Sequence, residues 1–212
     1  MAHLNRPKGK LLRAVLPNLE GEHDLELFSG TRPVDKKCKH NKLPGKPDGR
    51  RMRQSEYSIL MSTKQAMKRY YGILEKPFKR AYLHAAKKQG STADNLLITL
   101  ETRLDNIVYR SGFASTRAEA KQIVSHAHVQ VNGKKTTVSS YRVMKGDVIT
   151  LAPHAKKHAR VAAAIALAKQ KEEVSWLEVD HDTYTSKMAA EPTLDALNNL
   201  FKVNHVIELY SK

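Results

Sequence analysis

Apolar residues recur every three or four positions through the middle of the chain, and this spacing predicts helices. The first is predicted over 55–71, where Ser55 can cap the start and Gly72 follows the last apolar position. The second is predicted over 77–88 and the third over 92–112. The third has the strongest helical stripe of the chain, which consists of Leu96, Leu97, Leu100, Leu104, Ile107 and Val108.

Beyond this stripe a short helix is followed by alternating apolar and polar residues, which predict strands. Thr116 and Glu119 can form a capping box at the start of the short helix. Val129 and Val131 then alternate with polar residues, and Asn132-Gly133 is typical of a tight hairpin turn. Further extended segments are predicted at Val138 and over 143–151.

The carboxy-terminal quarter of the chain has a weaker pattern. It predicts a helix over 155–173, a strand over 176–179, a helix over 194–201 and an extended segment over 206–210. Its large apolar residues need a surface to cover, and we expect them to pack on the helices of 55–100. These residues are Trp176, Leu177, Phe201 and Ile207. We therefore predict an α+β chain, a mainly helical domain with an inserted unit of two helices packed on a short antiparallel sheet.

Charge changes this picture most in the first part of the chain. The 212 residues include 37 Lys plus Arg against 21 Asp plus Glu, a formal net charge of +16. Residues 1–90 hold 21 of these basic residues and 8 of the acidic ones. The densest segment, 32–53, is also rich in proline and glycine, which predicts an irregular loop. A solvated loop or linker is the alternative, but a phosphate backbone accounts better for so much uncompensated charge.

Several basic residues further along are candidate phosphate ligands. Arg103 and Arg110 are seven positions apart, which on one continuous helix would give a single basic edge. Arg117 lies in the first turn of its predicted helix, where a cation opposes the helix dipole unless an anion is bound there. An ion pair between Arg117 and Glu119 or Glu101 is the structural alternative. Three lysines lie where they can reach the same anion: Lys121, Lys134 and Lys135.

Other classes of function have little support in the sequence. Aromatic residues make up 6% of the chain, so base stacking is not expected to be the main mode of binding. Phosphate-loop, dinucleotide and serine-elbow motifs are absent, and the histidines are scattered along the sequence. His154 and His158 are four apart, but the cations around them favour a solvated or RNA-facing side over a metal site. We expect no enzyme, no cofactor and no metal.

Membrane and secreted proteins are not favoured either. No run approaches the roughly 18 consecutive apolar residues of a membrane helix. The amino terminus lacks the apolar core of a signal peptide. Cys38 is the single cysteine, so an internal disulfide and a multi-cysteine zinc site are not expected. We therefore expect a soluble cytoplasmic protein.

Several short motifs resemble the small RNA-binding module named after bacterial small-subunit ribosomal protein four. They are Arg103-Leu104-Asp105-Asn106, Tyr109-Arg110-Ser111-Gly112-Phe113, Ser115-Thr116-Arg117-Ala118-Glu119-Ala120 and Val131-Asn132-Gly133. The remainder of the chain resembles the same ribosomal family, in the same order. The motifs there are Lys37-Cys38-Lys39, Pro44-Gly45, Tyr71-Gly72-Ile73-Leu74-Glu75, Trp176-Leu177-Glu178-Val179-Asp180 and Ile207-Glu208-Leu209-Tyr210-Ser211-Lys212.

The resemblance implies a division into domains. Residues 1–54 would form a basic amino-terminal arm and loop. Residues 55–101 would form a helical domain that 164–212 complete, and 102–163 would be the RNA-binding module. The amino-terminal 30 residues fit the family pattern loosely, and the four-cysteine zinc knuckle of some members has no counterpart here.

The resemblance also implies a function. Such proteins bind small-subunit ribosomal RNA early, nucleate assembly of the subunit body and contribute to decoding accuracy. The implied partners are this RNA, ribosomal small-subunit proteins five and three, and messenger RNA at its entrance. The residues implied for the messenger-facing or ribosomal-RNA-facing basic loop are Lys46, Arg50, Arg51 and Arg53.

Two alternatives come from other classes of protein. An RNA-modifying enzyme can carry the same module as an accessory, but it needs a catalytic domain, and only 57 residues follow residue 155. A free-standing RNA-binding regulator of translation remains open on sequence alone.

Overall fold

The computed structural model describes residues 9, 10, 13, 55–169, 174–192, 194 and 201–211. The chain divides into two compact units, with divisions after Leu97 and after Thr193, so the first unit combines described residues from before and after the second. In the described residues, none of the helices is long and apolar enough to cross a membrane. The described helices are α1 (Glu56–Tyr70), α2 (Glu75–Ala86), α3 (Thr92–Glu101), α4 (Leu104–Arg110), α5 (Arg117–Ser125), α6 (Pro153–Lys156), α7 (Ala159–Ala168) and α8 (Val203–Ser211). The described strands are β1 (Val129–Val131), β2 (Lys134–Lys135), β3 (Val148–Leu151), β4 (Leu177–Asp180) and β5 (Thr185–Met188).

In the first unit, α1 and α2 confirm the helices predicted over 55–71 and 77–88. The extended segment predicted over 206–210 is wrong. The Ser55 hydroxyl accepts the Ser58 amide and so caps α1. Residues 206–210 belong to α8, which packs on α1. The Tyr210 ring stacks on that of Tyr82 in α2, with ring centroids 4.8 Å apart. This tertiary packing, which the short segment's own pattern did not reveal, decides in favour of the helix.

The single helix predicted over 92–112 is two helices, because α3 ends at Glu101 and α4 begins at Leu104. Arg103 between them is extended, at φ −69° and ψ 138°. The backbone amides of Leu104 and Asp105 donate to carbonyls of the segment 139–141 instead of continuing the helical ladder. The break is therefore made by a distant part of the chain. Gly112, at φ +75°, ends α4 where a side chain would collide with Ala168 of α7.

The second unit contains an antiparallel sheet with the strand order β2-β1-β3-β5-β4. The predicted hairpin is confirmed, because Asn132 and Gly133 both have positive φ, 50° and 76°. The returning strand was placed wrongly: β2 ends at Lys135, and Val138 lies outside the sheet with 56% of its surface exposed. Val143, predicted to belong to the last strand, lies before β3. Its amide donates to the Thr102 carbonyl and not to a strand.

The carboxy-terminal segment is shared between the units, which corrects the prediction that all of it covers the first helices. Phe201 packs edge-on against Tyr70 of α1, with ring centroids 5.0 Å apart, as expected. Trp176 and Leu177 instead join the core of the second unit, and β4 and β5 extend its sheet. Of the segment 164–212 that was expected to complete the helical domain, the described residues up to 192 therefore belong to the second unit.

The helix predicted over 155–173 is also interrupted. The helices α6 and α7 are separated at Lys157 and His158, and His158 forms the amino-terminal cap of α7 in an extended conformation. Residues 170–173 and 195–200 lie outside the described residues. Helices and one antiparallel sheet together confirm the predicted α+β class.

Candidate nucleic-acid interface

Arg103, the first of the arginines predicted to contact RNA, lies in the turn between α3 and α4. Arg103 Nε and Nη2 donate to the two carboxylate oxygens of Asp105 at 3.0 and 2.8 Å. Both side chains are largely buried, with 13% and 8% of their surfaces exposed. Because Arg103 precedes α4 instead of lying on it, the single helical edge predicted with Arg110 does not form.

Arg110, the second of these arginines, pairs with a buried carboxylate. Arg110 donates through two nitrogens to Glu101, each bond 3.2 Å long, and the Glu101 side chain is only 1% exposed. The Asn106 amide nitrogen donates to the same carboxylate at 2.7 Å and to the Glu101 backbone carbonyl at 3.0 Å. Bidentate arginine pairs and additional donors are what a buried carboxylate needs to remain charged.

Arg117 connects this group to α5. Arg117 is buried, with 9% of its surface exposed. Its Nε donates to Asn106 Oδ1 at 2.9 Å, and its guanidinium carbon lies 4.5 Å from the centroid of the Tyr109 ring. The bond to Asn106 and the contact with the Tyr109 ring hold Arg117 in this position. Glu101, Asn106, Arg110 and Arg117, here called the buried polar network, hold the end of α3 against α4 and the start of α5.

The cap of α5 is close to the predicted one but differs in one bond. Thr116 Oγ1 accepts the Glu119 amide at 3.3 Å, as expected of a capping box. The Glu119 carboxylate, however, accepts the Ser115 amide at 3.0 Å and the Ser115 hydroxyl at 2.6 Å. Glu119, one of the two predicted partners of Arg117, is thus hydrogen-bonded to Ser115.

The predicted lysines have a different environment from the arginines. Lys134 and Lys135 form β2 and are exposed, while Lys121 on α5 is half-buried. Within the described part of the chain, these three lysines form no ion pairs. The hairpin that carries β2 is held by Asn132, whose side chain donates to Asp147 at 2.8 Å and accepts the Val148 amide at 2.9 Å. Lysine charge is therefore presented on a braced hairpin.

Other basic residues complete the comparison with the sequence. Helix α2 and the two residues that follow it expose five of them, four of which the helical pattern had placed outward; the five are Lys76, Lys79, Arg80, Lys87 and Lys88. The candidates Lys46, Arg50, Arg51 and Arg53 lie outside the described residues.

Four histidines that are scattered in the sequence lie together in the second unit. The His128 ring centroid lies 4.7 Å from that of His154, 5.3 Å from that of His158 and 6.0 Å from that of His126. Burial lowers the pKa of His128, and the charges of the other three histidines lower it further. The sequence offered no sign of this cluster beyond the spacing of His154 and His158, because it requires β1 and β3 to pair.

Comparison with known families matches both parts of the chain. The family model described as the ribosomal protein S4/S9 N-terminal domain matches residues 3–101, and the S4 domain matches residues 102–149. Together they define the class: a protein with an S4 domain that follows a ribosomal S4/S9-type amino-terminal domain.

Full-length relatives narrow this class. Proteins named small ribosomal subunit protein uS4 are 44% identical in Coxiella burnetii, 43% in Dichelobacter nodosus and 45% in Legionella pneumophila strain Paris. Each alignment spans 212 residues and all of both chains. The chain belongs to the small ribosomal subunit protein uS4 family, which confirms the resemblance drawn from its motifs.

Proposed function

We propose that this chain is a structural constituent of the small ribosomal subunit, in the cytoplasm, and binds small-subunit ribosomal RNA. The observation that carries the proposal is the likeness to uS4 proteins over the full length of both chains. The formal charge of +16 supports it, because Lys and Arg that neutralise RNA phosphates release condensed counterions. Binding and shape recognition are the whole activity, so no turnover is expected.

Direct phosphate contact is assigned to the lysines of the second unit. Lys134 and Lys135 are exposed on the braced hairpin, and Lys121 is half-buried on α5. A flexible ammonium group without a protein partner reaches a phosphate at little cost in existing bonds. The exposed basic side chains on α2 and just after it are expected to act in the same way.

The three arginines are proposed to act on RNA mainly through the shape of the site. Arg103 and Arg110 form bidentate pairs with acids, and Arg117 is bonded to Asn106 under the Tyr109 ring. Turning any of them to a phosphate breaks bonds that are already formed in a poorly hydrated place. The arginines thus position α4 and α5, and the lysines meet the RNA.

The finer role follows the family resemblance. We propose early binding that nucleates assembly of the subunit body, and a contribution to decoding accuracy. The proposed neighbours are ribosomal small-subunit proteins five and three, with the basic segment of Lys46, Arg50, Arg51 and Arg53 near messenger RNA at its entrance. Replacing these three arginines by alanine should spare binding to ribosomal RNA and disturb messenger handling; failure of assembly first would assign the segment to ribosomal RNA.

The test of the main proposal is co-sedimentation. Small subunits from cells that express a tagged copy of the chain are sedimented through high salt, and the chain is quantified against a known subunit protein. We expect about one copy in each small subunit. Release at moderate salt, or recovery far below one copy, would instead indicate a free-standing regulator of translation.

A further inference from the structure

Three segments of the second unit bring histidines around the ring of His128, which directly precedes β1. The His154 ring, from α6, lies 4.7 Å from it, and the His158 ring, from the start of α7, lies 5.3 Å from it, measured between centroids. The His126 ring, at the end of α5, lies 6.0 Å away. These four residues are here called the histidine cluster, and His128 is the ring that the other three surround.

The backbone holds the cluster together. The His128 amide bonds to the Ile123 carbonyl and the Ala127 amide to the Val124 carbonyl, which closes the end of α5 in a Schellman motif. Ala127 has the left-handed conformation of that motif, at φ 62°. The Ala152 amide bonds to the His128 carbonyl at 2.9 Å, which joins this turn to the start of α6. Sheet pairing and helix ends therefore set the spacing of the rings.

The side chains next to the cluster along the chain are basic. Lys157 and Arg160 are exposed, and Arg160 lies in the first turn of α7, where there is no acidic residue. The residue that caps this turn, His158, makes no capping bond through its side chain. The amino terminus of a helix carries partial positive charge of its own. Within the part of the chain that the structure describes, the histidine cluster, Lys157 and Arg160 form no ion pair.

The acids nearest to α6 along the sheet already have partners. Lys156 of α6 donates to the Thr183 carbonyl in the turn between β4 and β5. In that turn the Asp180 carboxylate accepts the Asp182 amide and the Thr183 hydroxyl, at 2.9 and 2.6 Å. The Asp182 carboxylate lies 3.8 Å from the Lys169 ammonium group. Positive charge therefore collects at the cluster without an acid of its own.

We infer that the histidine cluster, with Lys157 and Arg160, binds one phosphate group of ribosomal RNA and binds it more tightly as the pH falls. The inference rests on the proposed function, because it adds a contact to the same RNA. A phosphate supplies the anion that the cluster lacks, and amides at the start of α7 can donate to its oxygens. Among the described residues, no three His, Cys, Asp or Glu side chains are placed to hold a metal ion. An anion therefore suits the cluster better than a cation.

The dependence on pH follows from the state of His128. Burial lowers its pKa from the ordinary 6.5, and the charges of His154, His158 and His126 lower it further. A bound phosphate acts in the opposite direction, because it attracts the protonated rings and offsets their mutual repulsion. The pKa is then higher in the complex than in the free protein, so binding takes up protons. The added affinity is complete below the pKa of the free protein and is lost as the pH rises through that of the complex.

The cluster is also separate from the predicted lysine contact on the hairpin. His128 precedes β1, whereas the turn at Asn132-Gly133 follows it, so the cluster and the hairpin turn lie at opposite ends of the strand. Lysines keep their charge throughout the neutral range, whereas histidines do not. Dependence on pH therefore distinguishes the two surfaces in a binding experiment.

Binding of the full chain to a transcript of small-subunit ribosomal RNA, at pH 6 and pH 8 and constant ionic strength, tests the inference. We expect the parent to bind about tenfold more tightly at pH 6, which corresponds to one proton taken up over one pH unit. The double variant His154→Gln, His158→Gln should lose most of this gain, as should His128→Gln. The control His84→Gln, an exposed histidine on α2, should keep it.

A second pair of substitutions separates charge from structure. His154 and His158 are exposed, so replacing them should not disturb the fold even where His128→Gln does. The variant His154→Lys, His158→Lys carries a charge at both pH values. It should bind at pH 8 about as tightly as the parent binds at pH 6, and its affinity should change little between the two.

The outcomes also separate this inference from the ribosomal proposal. Equal gains in the parent and in the glutamine pair overturn the inference, while co-sedimentation with the small subunit would still support the ribosomal role. A parent that binds ribosomal RNA at neither pH contradicts both. Inorganic phosphate is the second probe, followed through the histidine proton resonances. If phosphate shifts the resonances of the cluster and RNA does not, the site takes a free anion and the assignment to RNA is wrong.

Discussion

The arginines of the α3–α5 region and the lysines of the β1–β2 hairpin present a contrast within one unit. Both groups are basic and both were predicted to contact RNA. The structure buries Arg117 to 9% exposure and pairs Arg103 and Arg110 with acids, whereas Lys134 and Lys135 are exposed. A basic residue in an RNA-binding module can therefore serve the shape of the site instead of contacting RNA, and whether its side chain is paired or exposed separates the two roles.

Removing the buried acid should produce the largest effect. In Glu101→Ala, Arg110 and Asn106 lose their shared partner inside the protein, and breaking a buried pair from one side costs about 3–5 kcal/mol. Urea unfolding of the full chain measures this loss. The control is Glu178→Ala, an exposed acid 3.7 Å from Lys187, whose removal should change stability by less than about 0.5 kcal/mol. A loss at Glu101 no larger than at Glu178 would contradict a structural role for the network.

Arg117→Ala should follow with a smaller loss of stability. The change leaves Asn106 Oδ1 without its donor and uncovers the Tyr109 ring, which costs about 1–3 kcal/mol. The salt dependence of ribosomal-RNA binding should keep its slope, because no phosphate contact is removed. The two roles would be reversed if stability were unchanged and the slope fell by about 1, the signature of one lost phosphate contact.

The hairpin lysines should show the opposite behaviour. Replacing both Lys134 and Lys135 by alanine should reduce the salt slope by about 1 for each lost phosphate contact and leave stability within about 0.5 kcal/mol. Lys187→Ala on β5 is the matched control, since it removes an exposed lysine from the same sheet. Equal slope changes in the control and the hairpin variant would show general charge attraction instead of a defined contact.

A half-exposed acid in the first unit extends the contrast to pH, with the smallest expected effect. Partial burial works to raise the pKa of Glu75, but hydrogen bonds from Lys64, Lys68 and Tyr210 lower it to about 2. A folded-state pKa below the ordinary 4.5 means that the stabilisation is present above pH 4.5 and is lost as the pH falls towards 2.

The Glu75→Gln variant checks this dependence. Since 44% of the Glu75 side chain is exposed, solvent screening limits the effect to about 1 kcal/mol or less. Urea unfolding at pH 7 and pH 3 should show a smaller acid-induced loss in the variant than in the parent. The assignment fails if both proteins lose the same stability on acidification.

Local patterns in the sequence determined much of this protein. The cap at Ser55, the start of α5 at Thr116 and the Asn132-Gly133 turn depend on bonds between residues that are close along the chain. The spacing of apolar residues indicated the α+β class. The positions of Lys and Arg in the sequence showed that the positive charge is concentrated in residues 1–90. Short motifs were enough to indicate the uS4 family. Caps and turns can be predicted from sequence because the bonds that stabilise them join residues only a few positions apart.

Tertiary structure alone decided the rest. The helix predicted over 92–112 breaks because carbonyls of 139–141 take the amides of Leu104 and Asp105, and no local pattern contains that contact. Trp176 needs an apolar surface to cover, and only packing determined that this surface is the core of the second unit and not the helices of 55–100. The same reason separates the arginines from the lysines: charge is a property of the residue, whereas burial and pairing are properties of the folded chain.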